Sequence, residues 1–144
     1  MLNIYALLYN HPGQTGTRPD GSIKEFDGPH VMVQAVLFSR VEIVRILQQK
    51  GGRLDYRREK GDTALIEAVH VGNLELAKFI LASPEIEDKK GYVNIVGEGG
   101  MTAVFHACTE HNKDAKCLEW LIEQGANIEH RANEVVYILN SILA

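Results

Sequence analysis

At 144 residues, with 45% apolar and 24% charged side chains, the chain is long enough for one domain with a core and too apolar to be read as disordered. A formal net charge of −4 argues against DNA or RNA as the main partner, because phosphate binding needs a dense basic face. No apolar run reaches the length of a membrane span, and the apolar start Met1 to Tyr9 has neither a basic leader region nor a small-residue cleavage site, so a cytoplasmic location is expected.

Taken in chain order, Leu2 to Asn10 predicts a helix that ends at His11-Pro12-Gly13, since proline disfavours the helical conformation of the residue before it and glycine suits the turn. Residues 14–27 then form a long loop with a tight turn at Pro19-Asp20-Gly21. That loop carries Ile23 and Phe26, two side chains with apolar surface to bury.

From Gly28 the chain repeats itself. Gly28 to Gly61 is 33 residues and Gly61 to Gly100 is 39, the longer interval holding about six extra residues around Pro84 to Tyr92. A period of that size predicts stacked supersecondary units, each burying its apolar face against its neighbours.

The middle copy is the clearest. Thr63 is placed to cap a first helix ending near Val71, with Ala64, Leu65, Ala68 and Val69 on one face; Gly72-Asn73 breaks it; a second helix follows from about Leu74 to Ala82. That second helix holds Leu76, Ala77, Phe79, Ile80 and Leu81, more apolar residues than a helix packed on one side requires. The first copy runs from Gly28 through Val36, breaks at Ser39-Arg40, and continues over Val41 to Leu47. The third runs from Gly100 through Cys108, breaks near His111-Asn112, and continues over Ala115 to Ile122. Ala35, Ala68 and Ala107 fall at matching places, where small side chains let neighbouring first helices approach.

The pattern G-x-T-A-L-x-x-A, the Gly-Asn break, the Leu-Glu-Leu and Phe-Ile-Leu runs, and the closing Gly125-Ala-Asn-Ile128 resemble the ankyrin repeat over about residues 28–133. The resemblance implies an all-α solenoid of helix-turn-helix units with β-turn fingers. It divides the chain into a leading half-repeat and loop (1–27), repeats at 28–60, 61–99 and 100–133, and a trailing half-repeat helix (134–144). It further implies a concave face made by fingers and first helices. The chain departs from the pattern at His30, which stands at the capping Thr position, and in the insertion at 84–92, whose charged residues Glu85, Glu87, Asp88, Lys89 and Lys90 read as a surface elaboration and a second specificity element.

No catalytic group emerges. Gln34, Glu67 and His106 occupy equivalent positions of the three copies, but packed helices stand about 8–10 Å apart, too far for three ligands at about 2 Å from one zinc ion. The row instead predicts a polar line on the concave face, available to a partner. Cys108 and Cys117, nine apart at apolar positions, predict buried reduced thiols, with Cys108 pointing into the core. His111 and Glu110 beside His106 lack a paired nucleophile, and Gly97-Glu98-Gly99-Gly100 lacks the Lys-Ser/Thr ending of a phosphate loop and reads as a flexible finger tip.

Binding is expected to concentrate on the finger Arg53-Leu-Asp-Tyr-Arg-Arg-Glu-Lys60, a basic tip on an acidic chain that suits an acidic patch on a protein partner. Tyr56, Arg57 and Arg58 carry that expectation, with Phe38, Tyr56 and Val71 as an apolar cluster beside the finger and Gln34, Glu67, His106 and Glu110 as polar contacts. The reading is a non-catalytic protein-protein interaction module, a monomer needing no metal or cofactor and binding no nucleic acid or membrane. Its rivals are a dedicated inhibitor or immunity-type protein capping one enzyme, and a targeting domain of a larger enzyme or effector. The apolar helix at 134–144 leaves self-association open.

Overall fold

The computed structural model describes residues 31–109 and 111–132. The expected N-terminal helix and loop, the position of His30, Glu110 and the C-terminal half-repeat lie outside them.

The described residues form seven α-helices. They are α1 (Val31–Leu37), α2 (Val41–Gln49), α3 (Ala64–His70), α4 (Leu74–Leu81), α5 (Lys89–Val93), α6 (Ala103–Ala107) and α7 (Lys116–Glu123), with a 3₁₀ turn at Glu98–Gly100. Helices α1/α2, α3/α4 and α6/α7 form hairpins, and the inner helix α3 packs against α1 on one side and α6 on the other. Among the described residues there is no β-strand, only an antiparallel bridge between Arg57 and Thr63 at the base of a finger.

The middle repeat shows why these residues fold this way. Thr63 is extended, and its hydroxyl accepts from the Ile66 amide at 3.2 Å, starting α3. Asn73 does the same for α4 through the Leu76 amide at 3.0 Å. Between the helices, Gly72 has φ of +76°, a conformation that a side chain makes costly. A Cβ there would also meet the His111 carbonyl oxygen at 2.5 Å, so the turn of one repeat is closed against the next.

The core is a continuous apolar layer through all three hairpins, from Val36 and Val44 through Leu65, Leu76 and Ile80 to Ala103 and Leu121. Each large side chain buried there contributes about 1.5–3 kcal/mol relative to exposure. Ala35, Ala68 and Ala107 are all buried, as the close approach of inner helices requires.

Three expectations need correction. The insertion at 84–92 is not simply a surface elaboration: Ile86, Tyr92 and Val93 are buried, Asp88 caps α5 through the Gly91 amide at 2.9 Å, and the Tyr92 hydroxyl donates to the Leu54 carbonyl at 3.1 Å. Its apolar side chains enter the core while its charges stay outside. Cys108 is exposed, because α6 ends at Ala107 and Cys108 is already its C-cap; Cys117 is buried as expected. The glycines at 97–100 form a defined turn, with Gly97 donating to the Met101 carbonyl at 2.8 Å and Gly99 and Gly100 at positive φ.

Candidate protein-binding surface

The finger between α2 and α3 is built by its own basic residues. Its turn closes through the Arg58 amide on the Asp62 carbonyl at 2.9 Å and the Gly61 amide on the Arg58 carbonyl at 2.8 Å. The Arg57 guanidinium donates from Nε to the Gly61 carbonyl at 3.1 Å and from Nη2 to the Val96 carbonyl at 2.8 Å, tying this finger to the next. Lys60 adds an ion pair to Glu98 at 2.8 Å, and Asp62 Oδ1 accepts from the Glu98 amide at 2.8 Å. Neighbouring fingers thus hold each other in place.

At the root of the finger sits Glu67. Its carboxylate accepts from the Tyr56 hydroxyl at 2.7 Å and from Arg58 Nη1 at 2.9 Å, and its side chain is 3% exposed. Burial pushes the Glu67 carboxyl above the usual carboxylate range, outweighing the Tyr56 and Arg58 bonds that favour the anion. Burial likewise drives the Tyr56 phenol far above its ordinary value, with the neighbouring Glu67 charge acting in the same direction. The phenol therefore serves as a neutral donor.

This arrangement changes the predicted site. The polar row was expected to lie open, yet only Gln34 is half-exposed. Glu67 is buried under Tyr56 and Arg58, and His106 is buried against His70. The physical reason is packing: Tyr56 and Arg58 of the finger close over Glu67, and the contact of α6 with α3 covers His106. Arg57 and Arg58 emerge as struts of the finger, although the Arg58 side chain keeps 43% exposure.

The expected apolar cluster does not sit together beside the finger. Tyr56 lies at the finger root, whereas Val71 is the C-cap of α3, some eight residues beyond the N-cap Thr63, or about 12 Å along the helix. Phe38 occupies the corresponding end of α1 and is 68% exposed, the most open large apolar side chain among the described residues. Finger and apolar end thus bracket the inner-helix face from opposite edges.

At the Val71 end the structure brings together residues that the sequence reading left apart. His70 Nδ1 lies 3.0 Å from His106 Nδ1, and the His111 ring lies 5.4 Å from that of His70. Asn112 donates to both the Val69 and His106 carbonyls at 2.9 Å. Burial, and secondarily His70, hold the His106 imidazole below its ordinary pKa.

Among the described residues, no group of three or more His, Cys, Asp or Glu side chains is placed to hold a metal ion, and no helix is long and apolar enough to cross a membrane. The arrangement offers rigidly held donors and an exposed aromatic ring beside a helical face.

A family model for ankyrin repeats in three copies matches residues 32–132. A search of the curated proteins finds no match. Among solved structures 141 chains match, so the frame is a widely shared one. One of them is the ankyrin repeat domain of human ASB11, with a TM-score of 0.59 and 26% identity, covering 72% of this chain and 45% of that one. This chain spans less than half the length of that domain.

Proposed function

The chain belongs to the ankyrin repeat family, whose members are in general protein-protein interaction modules, and from that premise we propose that it is a non-catalytic, cytoplasmic binder of a protein partner. The partner lies across the inner helices, between the Arg53–Lys60 finger at one edge and Phe38 at the other. The observation that carries this reading is the Arg58–Glu67–Tyr56 network, which holds a cation-rich finger in one conformation before any partner arrives. A preformed surface loses little ordering entropy on association.

An acidic patch on the partner fits this finger. Arg53, Arg58 and Lys60 keep side-chain exposures of 68%, 43% and 71%. The pairs Arg53–Asp55 and Lys60–Glu98 are solvent-screened surface pairs, so both cations are readily redirected to an incoming carboxylate. Phe38 supplies the aromatic anchor.

The test is affinity capture from a lysate of the source organism, comparing the wild-type chain with the triple variant Phe38→Ala, Arg53→Glu, Lys60→Glu. These positions are exposed and lie outside the Glu67 network; because Lys60→Glu also removes the pair with Glu98, circular dichroism of the variant establishes that it is folded before capture. A protein held by the wild type and lost from the variant supports the reading; a partner held equally by both contradicts it.

A further inference from the structure

The joint between the second and third repeats is closed, at the end of the inner helices away from the fingers, by histidines. The two Nδ1 atoms of His70 and His106 stand 3.0 Å apart with the rings perpendicular, at 89°. A hydrogen bond between two imidazole nitrogens requires one protonated and one bare, so this contact holds a single proton. His106 is 9% exposed, and its Nε2 is buried without a hydrogen-bond partner. With His106 as the donor, the tautomer that leaves no buried Nε2–H without an acceptor, a second proton goes either to His70 Nδ1, setting two N–H donors face to face, or to the buried His106 Nε2, leaving a charged ring without an acceptor.

The surrounding charges do not relieve this. On α3, Glu67 is directed to Tyr56 and Arg58. From the fingers, Asp62 and Glu98 attract a proton toward His106, but Asp62 already accepts from the Glu98 amide and Glu98 pairs with Lys60. The remaining near neighbour is His111, whose ring lies 5.4 Å from that of His70 and supplies no carboxylate to the pair. The same joint contains the two Asn112 hydrogen bonds and the close approach of Gly72 to the His111 carbonyl, so opening the pair disturbs contacts that span both repeats.

We propose that the His70–His106 pair is a proton-operated latch: with one shared proton it closes α6 onto α3, and uptake of a second proton opens that end of the joint and loosens the third repeat. The latch stands on the geometry of the pair and is independent of the partner reading. The lowered His106 pKa agrees in sign. Between the folded value and the ordinary histidine value of about 6.5 the unfolded chain binds more protons than the folded one, so stability is full above that range and falls as pH falls through it.

The experiment is an NMR titration of the histidine Cε1–H and backbone amide signals of the full chain from pH 8 to pH 5, with urea unfolding at each pH, on wild type, His70→Gln and His106→Gln. The latch predicts a His106 midpoint below that of an ordinary histidine and amide shifts in α6 and at 111–112 that follow the same curve. It also predicts an unfolding constant rising by up to about tenfold per pH unit on acidification. In His70→Gln, where the partner carries no charge, the His106 midpoint moves up and the acid loss becomes shallower. Histidines that titrate at the ordinary value with still amides, or a His70→Gln variant with the wild-type pH slope, overturn the proposal. Should His106→Gln not fold, the exposed-site variant His70→Gln decides the matter alone.

Discussion

Glu67, buried on the first helix of the middle repeat, accepts a hydrogen bond at 2.9 Å from Arg58 at the tip of the preceding finger, so a carboxylate inside the stack fixes a cation at its surface. The pair is asymmetric, with the acid 3% exposed and the base 43%. Removing either side therefore has different consequences. Arg58→Ala leaves a buried carboxylate with only Tyr56, and a loss of about 2–3 kcal/mol is expected in urea unfolding. Glu67→Gln keeps a partner for both neighbours without the buried charge, and its loss is expected below about 1.5 kcal/mol.

The same pair has a pH signature. The Glu67 carboxyl is raised in the folded chain, so the folded state holds its proton more tightly than the unfolded state does. Its contribution is full below the ordinary glutamate value of about 4.3 and is lost as pH rises through the folded value. The stability of wild type relative to Glu67→Gln is expected to fall as pH rises from about 4.3 to the folded value and to level off beyond it. Paired urea titrations from pH 4 to pH 8 check it, and a difference that grows with pH contradicts it.

Gly72 offers a sharper mutational test. Its φ of +76° and the 2.5 Å approach of a built Cβ to the His111 carbonyl act together, because strain within one repeat coincides with a clash against the next. Gly72→Ala is expected to cost more than about 1 kcal/mol, beyond the left-handed conformation alone. Thermal unfolding measures it, and a neutral result means that the joint relaxes.

Much of the fold was legible in the sequence because it rests on local chemistry. Thr63 is a cap that reads directly from the chain, Gly72-Asn73 is a break in which the structure adds a capping role for Asn73, and the alanines at 35, 68 and 107 mark close helix approach. The insertion was harder. Its charges are conspicuous in sequence, whereas Ile86, Tyr92 and Val93 are buried because they join the core shared by the repeats, a tertiary fact. Cys108 was misplaced by a single position, since α6 stops at Ala107. The site was legible by composition and not by geometry: the basic finger was visible, but nothing in the spacing of Arg58 and Glu67 shows that they pair across a turn.

The insertion yields its own prediction. Tyr92 buries its ring and donates to the Leu54 carbonyl at 3.1 Å, and burial pushes its phenol up to about 12. Tyr92→Phe is expected to lose about 1 kcal/mol, the net worth of one buried hydrogen bond, while Ile86→Ala is expected to lose about 2–4 kcal/mol through the cavity it leaves. Denaturant midpoints that leave both unchanged would show the insertion to be dispensable.

The most direct test of the account as a whole is a hydrogen-exchange footprint of the chain with the partner captured from lysate. Protection confined to residues 53–60 and the inner helices α1, α3 and α6 is the predicted result. Protection on the outer helices α2, α4 and α7, with the finger unchanged, would contradict it.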